Sequence, residues 1–289
     1  MGTIPASELI INEDGSIFHL HLKPGQVADK IILVGDPERV NSVASFFDYQ
    51  ECEVSSREFH SITGTYQGKR ITALSHGIGS DNIDIVLTEL DALVNIDFET
   101  RTIKNQFTPL TLVRVGTSGS LQPELTIGNY VAAEKSIGFD GVLYFYANTE
   151  KIRDLSLEKA LLEQLDWKIE GLKPYVVSAD ESLIRQIARN DIHKGYTIAA
   201  NGFYGPQGRK VRLALRDPFL NSKIEQFHFN GKKITNYEME SSSLAGLATL
   251  MGHRAMTVCC IIAGRVNHRM NTEYKGNMTD LIDTVLQRI

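Results

Sequence analysis

The feature that most constrains this chain is an alternation of two hydrophobic patterns. Mainly apolar runs recur at residues 30–34, 71–75, 109–115 and 256–262. Runs without polar alternation suit strands covered on both faces of a sheet. The segment 81–94 instead spaces Ile83, Val86, Leu87, Leu90, Leu93 and Val94 along one helical stripe. Further strands are predicted at 129–134, 175–178 and 196–200, and further helices at 156–166, 181–190 and 278–289. Strands alternating with helices predict an α/β protein with a mixed sheet. The 289 residues carry no internal repeat or linker-like tract, so one domain over 1–289 is expected.

Composition removes several functions. A net charge of -5 gives no general attraction to nucleic acid or to an anionic membrane. Any anion site must therefore be a local cluster of Arg and Lys. The three cysteines, Cys52, Cys259 and Cys260, have no zinc-like spacing, so no metal is expected. They fit a reducing, cytoplasmic setting. No apolar window approaches the roughly 20 residues that span a bilayer. Glu8, Glu13 and Asp14 argue against a signal peptide.

Chemistry concentrates where the strands end. The first run leads into Gly35-Asp36-Pro37-Glu38-Arg39, a glycine, a proline suited to a first helical turn, and an arginine. That reads either as an anion site at a helix start or as an ordinary strand-to-helix turn. His76-Gly77-Ile78-Gly79-Ser80 resembles a dinucleotide turn, but Asn82 stands where the third glycine belongs. Arg114 lies at the carboxyl end of an apolar strand, where open sheets place ligands, and Gly116-Thr117-Ser118-Gly119-Ser120 follows as a glycine turn. An arginine there is costly to bury without an anionic partner. Arg57 alone reads as a solvated charge. Residues 17–22 read as an edge strand or a hydrophobic tether, and residues 63–71 as a hairpin around Gln67-Gly68-Lys69.

The loop 201–209 contributes Phe203 and Tyr204 as stacking faces, Gln207 as donor and acceptor, and Arg209 as donor only. That set suits the acceptor–donor–acceptor edge of a pyrimidine-dione; a surface turn is the alternative. Glu238-Met239-Glu240 offers carboxylates for a vicinal diol and an apolar side chain to lie under a sugar. Taken alone, the same stretch reads more readily as a helix start capped by Ser241.

Taken together, six stretches resemble the nucleoside phosphorylases of the uridine phosphorylase type. They are Phe18-His19-Leu20, 34–40, Ser56-Arg57-Glu58-Phe59, 114–119, Gln207-Gly208-Arg209 and Asn236-Tyr237-Glu238-Met239-Glu240-Ser241, in the family's order. The resemblance implies a three-layer α/β/α sandwich around a mixed, partly barrel-like sheet. It implies reversible phosphorolysis of uridine to uracil and ribose 1-phosphate. By that similarity Gly35, Arg39, Arg114 and Thr117 would hold phosphate, with Arg57 reaching it from an adjacent subunit. Gln207 and Arg209 would read the uracil edge, with Phe203 stacked on the base and Ile262 lining its pocket. Glu238, Met239 and Glu240 would hold ribose, and His19 would meet its 5′-hydroxyl from the neighbouring subunit. Arg114, Arg209, Gln207 and Glu240 would carry the catalysis. Phosphate is the co-substrate; no cofactor or metal is implied. The smallest active unit would be a homodimer, with a hexamer of three dimers also compatible.

Two features depart from relatives. Gly264-Arg265-Val266-Asn267 stands where purine-specific relatives carry an Asp, which favours a pyrimidine. The segment 95–108 is longer than in compact bacterial relatives. The rival readings are a nucleosidase of the same fold, which has little need for Arg39, Arg57 and Arg114 together, and a non-catalytic nucleoside-binding protein.

Overall fold

The computed structural model describes residues 2–265 and 269–289. Val266 and Asn267, half of the tetrapeptide that favours a pyrimidine, lie outside the described residues. In chain order β1 (Lys30–Val34) leads into α1 (Pro37–Ala44), followed by β2 (Tyr49–Ser56), β3 (Phe59–Tyr66), β4 (Lys69–Ser75) and α2 (Ser80–Asn95). A two-residue hairpin, β5 (Ile96–Asp97) and β6 (Thr102–Ile103), precedes β7 (Thr111–Ser120) and β8 (Tyr130–Gly138). Then come α3 (Leu155–Gln164), β9 (Tyr175–Ser178), α4 (Glu181–Ile187), β10 (His193–Ala199) and α5 (Leu220–Gln226). The chain finishes with β11 (His228–Phe229), β12 (Lys232–Glu238), α6 (Ser241–Met251), β13 (Arg254–Gly264), β14 (Arg269–Met270) and α7 (Lys275–Arg288).

Local chemistry explains the main boundaries. Asp36 accepts the amide N–H of Glu38 at 2.9 Å and Pro37 occupies the first helical position, so α1 starts where the proline requires. Gln67 and Gly68 both adopt positive φ, 47° and 76°, the two-residue turn that matches the twist of the β3–β4 hairpin. The main sheet runs β11-β12-β10-β8-β13-β7-β1-β4-β3-β2. A further pairing of β12 with β7, Asn236 opposite Ser120 and Tyr237 opposite Gly119, closes β12, β10, β8, β13 and β7 into a barrel. Apolar clusters lie on both sides. One packs α1, α4 and α7 on the sheet through Val40, Leu183, Ile187, Leu281 and Val285. The other packs α2 and α6 through Val86, Leu90, Leu244 and Leu247. The three-layer architecture with a mixed, partly closed sheet stands.

Three expectations change. Residues 116–120 are not a turn: β7 continues to Ser120, because β13 pairs with it as far as Gly264, with a one-residue shift between Ile261 and Ala263. Residues 17–22 form turns rather than an edge strand, and tether the N-terminal segment by burying Ile17, Leu20 and Leu22. Ser241 does not cap α6: the position before the helix is Glu240, and Ser241 is its first residue. The segment 95–108 folds as the β5–β6 hairpin, and Arg101 donates to the carbonyl oxygens of Ile4 and Pro5 at 2.9 and 3.1 Å.

Candidate active site

The barrel closure decides what meets what. It sets the end of β12, with Glu238, beside β7, with Arg114, and α6 starts from that corner. The resulting cavity, about 880 Å³, is lined by eleven of the thirteen predicted site residues: Gly35, Arg39, Arg114, Thr117, Phe203, Gln207, Arg209, Glu238, Met239, Glu240 and Ile262. His19 and Arg57 do not line it. They sit together elsewhere: His19 packs edge-on against Phe18 with ring centroids 4.6 Å apart, and the Arg57 guanidinium lies 5.9 Å from the Phe18 ring.

Arg114 is the hub. Its side chain is buried, and its Nη1 donates to Glu238 Oε2 at 2.9 Å while Nη2 donates to Glu240 Oε2. Its Nε donates to His76 Nε2 at 3.1 Å, so His76 accepts at that nitrogen. The Gly79 amide donates to Glu240 Oε1 at 2.7 Å. Glu238 also collects the amide of Glu240, and the amide and hydroxyl of Ser241, the last at 2.6 Å. Glu238 thus takes the role that sequence reasoning gave to Ser241: it satisfies free N–H groups at the start of α6.

The charges follow from burial and proximity. Burial alone would lower the Arg114 pKa; Glu240 and Glu238 outweigh it, and the guanidinium is held above its ordinary range. Burial pushes the Glu240 carboxyl above the usual carboxylate range; Arg114 pulls it back and Glu238 pushes it up again. His76 is fully buried and faces Arg114 and Arg39, so its imidazole is held neutral, far below the usual range. Gly116 makes this geometry possible. A Cβ there would stand 2.7 Å from Arg114 Nη1. The glycine therefore serves as a flat strand surface on which the guanidinium lies, rather than as a turn residue.

Also lining the cavity, Gln207 is buried and accepts from Arg209 Nη1 at 2.6 Å. The Arg209 guanidinium lies 3.7 Å over the Phe203 ring, so it covers one of the faces expected for stacking. Arg265 donates to the Gln207 carbonyl at 2.7 Å, and Asn221 donates to the same carbonyl at 3.2 Å. Tyr237 holds Asn221 through its hydroxyl at 3.0 Å. Burial and the neighbouring Arg265 lower Arg209 to about 10. Sequence reasoning left His76, Asn221 and Arg265 without site roles. Arg265 was detectable, as a cation where a purine-type acid was sought; His76 stands in a glycine-rich turn that reads through its glycines, and Asn221 carries no motif.

Residues 29–287 match the model of the phosphorylase superfamily. A uridine phosphorylase of Thermococcus kodakarensis is 32% identical over 259 residues, 89% of this chain and 80% of that one. The uridine phosphorylase of Escherichia coli is 27% identical over 265 residues, 88% of each chain. Among solved structures, a Trypanosoma brucei nucleoside phosphorylase described as showing uridine phosphorylase activity superposes with a TM-score of 0.89 at 27% identity. The superposition covers 97% of this chain and 98% of that one. The chain belongs to the phosphorylase superfamily.

Proposed function

We infer that this chain catalyses the reversible phosphorolysis of uridine to uracil and ribose 1-phosphate, a pentosyl transfer to inorganic phosphate. The single observation that carries the reading is the lining of one cavity. Arg39, Arg114, the Gln207–Arg209 pair, Glu238, Met239 and Glu240 all line it, which brings cations for an oxyanion together with carboxylates for a diol and a donor–acceptor pair for a base edge. Uridine phosphorylases at 27–32% identity over most of the chain support the same substrate.

Cleavage of the glycosidic bond develops positive charge on the sugar and negative charge on the departing base. The Gln207–Arg209 pair, with Arg265 behind it, suits the base anion. Phosphate held by Gly35, Arg39, Arg114 and Thr117 attacks the anomeric carbon and offsets the sugar's charge. Glu240 takes the ribose hydroxyls, and Phe203 and Ile262 flank the base. The acceleration comes from positioning and preorganised charge, with phosphate as co-substrate and no cofactor.

Arg57 and His19 lie outside the cavity of their own chain, so in this reading they complete the site of a second copy, and the active unit is at least a homodimer. The three cysteines are free, which supports a cytoplasmic setting. Among the described residues no helix is long and apolar enough to cross a membrane.

Uridine absorbance followed with and without phosphate tests the reaction. Loss only with phosphate is expected. Equal loss without phosphate would assign hydrolysis, and no loss in either arm would leave only binding.

A further inference from the structure

Glu89 sits on the buried stripe of α2, among Val86, Leu87, Leu90 and Leu93. A carboxylate there is costly unless it is fully paired. Among the described residues, all its hydrogen bonds come from one dipeptide. The amide of His19 donates to its two oxygens at 3.0 and 3.1 Å, the amide of Leu20 donates at 2.8 Å, and the His19 ring meets it through Nδ1 at 2.6 Å. The two backbone amides tie the N-terminal segment to α2. The ring bond does something else. An ionised carboxylate only accepts, so the bond requires a proton on Nδ1 and fixes the ring plane; in the neutral ring Nε2 is then the acceptor. Phe18, edge-on to the ring, restricts it from the side.

We propose that Glu89 is the positioning residue for His19, selecting its Nδ1–H tautomer and aiming Nε2 at the ribose 5′-hydroxyl in a neighbouring subunit's site. This rests on the phosphorolysis reading above and on the place given there to His19. The same helix links two sites. The Gly79 amide, which precedes the first residue of α2, holds the ribose-facing Glu240 of this chain, and the third turn holds the His19 offered to its neighbour. A single rigid element thus sets both grips on a sugar.

The test compares wild type, Glu89→Gln, His19→Ala and the double variant on uridine and on 5′-deoxyuridine, with thermal melts as a fold control. The expected result is a loss of about tenfold in kcat/KM on uridine for each single variant, the scale of one hydrogen bond. Turnover of 5′-deoxyuridine stays unchanged, and the double variant is no worse than His19→Ala. Equal loss on both nucleosides, or additive loss in the double variant, overturns the proposal. A second measurement needs no turnover: long-range proton–nitrogen correlation of the labelled His19 ring. A protonated Nδ1 in wild type that is lost in Glu89→Gln supports the proposal, and a protonated Nε2 in wild type overturns it. A wild type inactive on uridine would sink the phosphorolysis reading, while the ring spectrum would still decide the pairing.

Discussion

Arg114 brings one positive charge to two buried carboxylates, and that imbalance governs how Glu240 titrates. Because its folded-state pKa is raised, the folded protein holds a proton there that the unfolded chain has released. Stability from this group is therefore undiminished below the ordinary value of 4.5 and falls as pH rises above it. Glu240→Gln removes the effect. Urea melts at pH 4 and pH 7 should show the variant gaining on wild type as pH rises, while uridine phosphorolysis drops; a constant difference between the two would refute the assignment. Arg114→Ala is the harsher change. It leaves Glu238 and Glu240 without their cation, and a broken buried pair costs about 3–5 kcal/mol. The variant should lose both phosphorolysis and stability, readable in the same melts; wild-type stability would mean that the network is slack. In the same cavity Gln207→Ala should weaken the preference for uridine over inosine, and an unchanged ratio of their kcat/KM values would remove Gln207 from base reading.

At the scale of elements, β7 acts as a bench for guanidinium groups. Gly116 lies flat beneath Arg114, and Gly119 stands 3.6 Å from the Arg265 side chain at the position a Cβ would take. Gly116→Ala should push Arg114 off its two carboxylates. That strands the same two buried carboxylates, so the thermal midpoint should fall as it does for Arg114→Ala, and kcat/KM should fall on the order of 10². A variant as active as wild type would show that Arg114 does not need this resting place. The same strand marks where the sequence was readable and where it was not. The aliphatic stretch 111–115 declares a buried strand because hydrophobic pattern is local information. The next five residues carry glycines and hydroxyls that look like a turn; pairing with the distant β13, and with β12 at Gly119 and Ser120, keeps them extended. Eleven of the thirteen predicted site residues converge on one cavity because the stretches that carry them are distinctive. Glu89 and His76 escaped notice for the opposite reason. Glu89 is a lone polar residue on an apolar stripe, and His76 opens a turn read for its glycines; the meaning of each appears only when a segment 70 or 38 positions away in sequence packs against it.

Across the whole molecule the decisive fact is which chain supplies which residue. Arg39 lines the cavity of its own chain, whereas Arg57 and His19 form a patch outside it. If that patch completes a neighbour's site, Arg39→Ala and Arg57→Ala each disable every site in their own homo-oligomer. In a mixed pair, one site carries both lesions and the other carries none. Random exchange of equal amounts makes half of the dimers mixed, and half of the sites in each are intact, so about one quarter of wild-type activity should return. Partly buried Arg39 and exposed Arg57 suit this experiment better than Arg114, because neither substitution strands a buried carboxylate. The two inactive variants would be combined under mild denaturant, dialysed and assayed with uridine and phosphate. Recovery requires that the site be shared, since no rearrangement within a single chain can restore the missing guanidinium. A mixture as inactive as its parents would place Arg57 outside the neighbour's site, and the intact cavity of one chain would then have to carry the reaction alone.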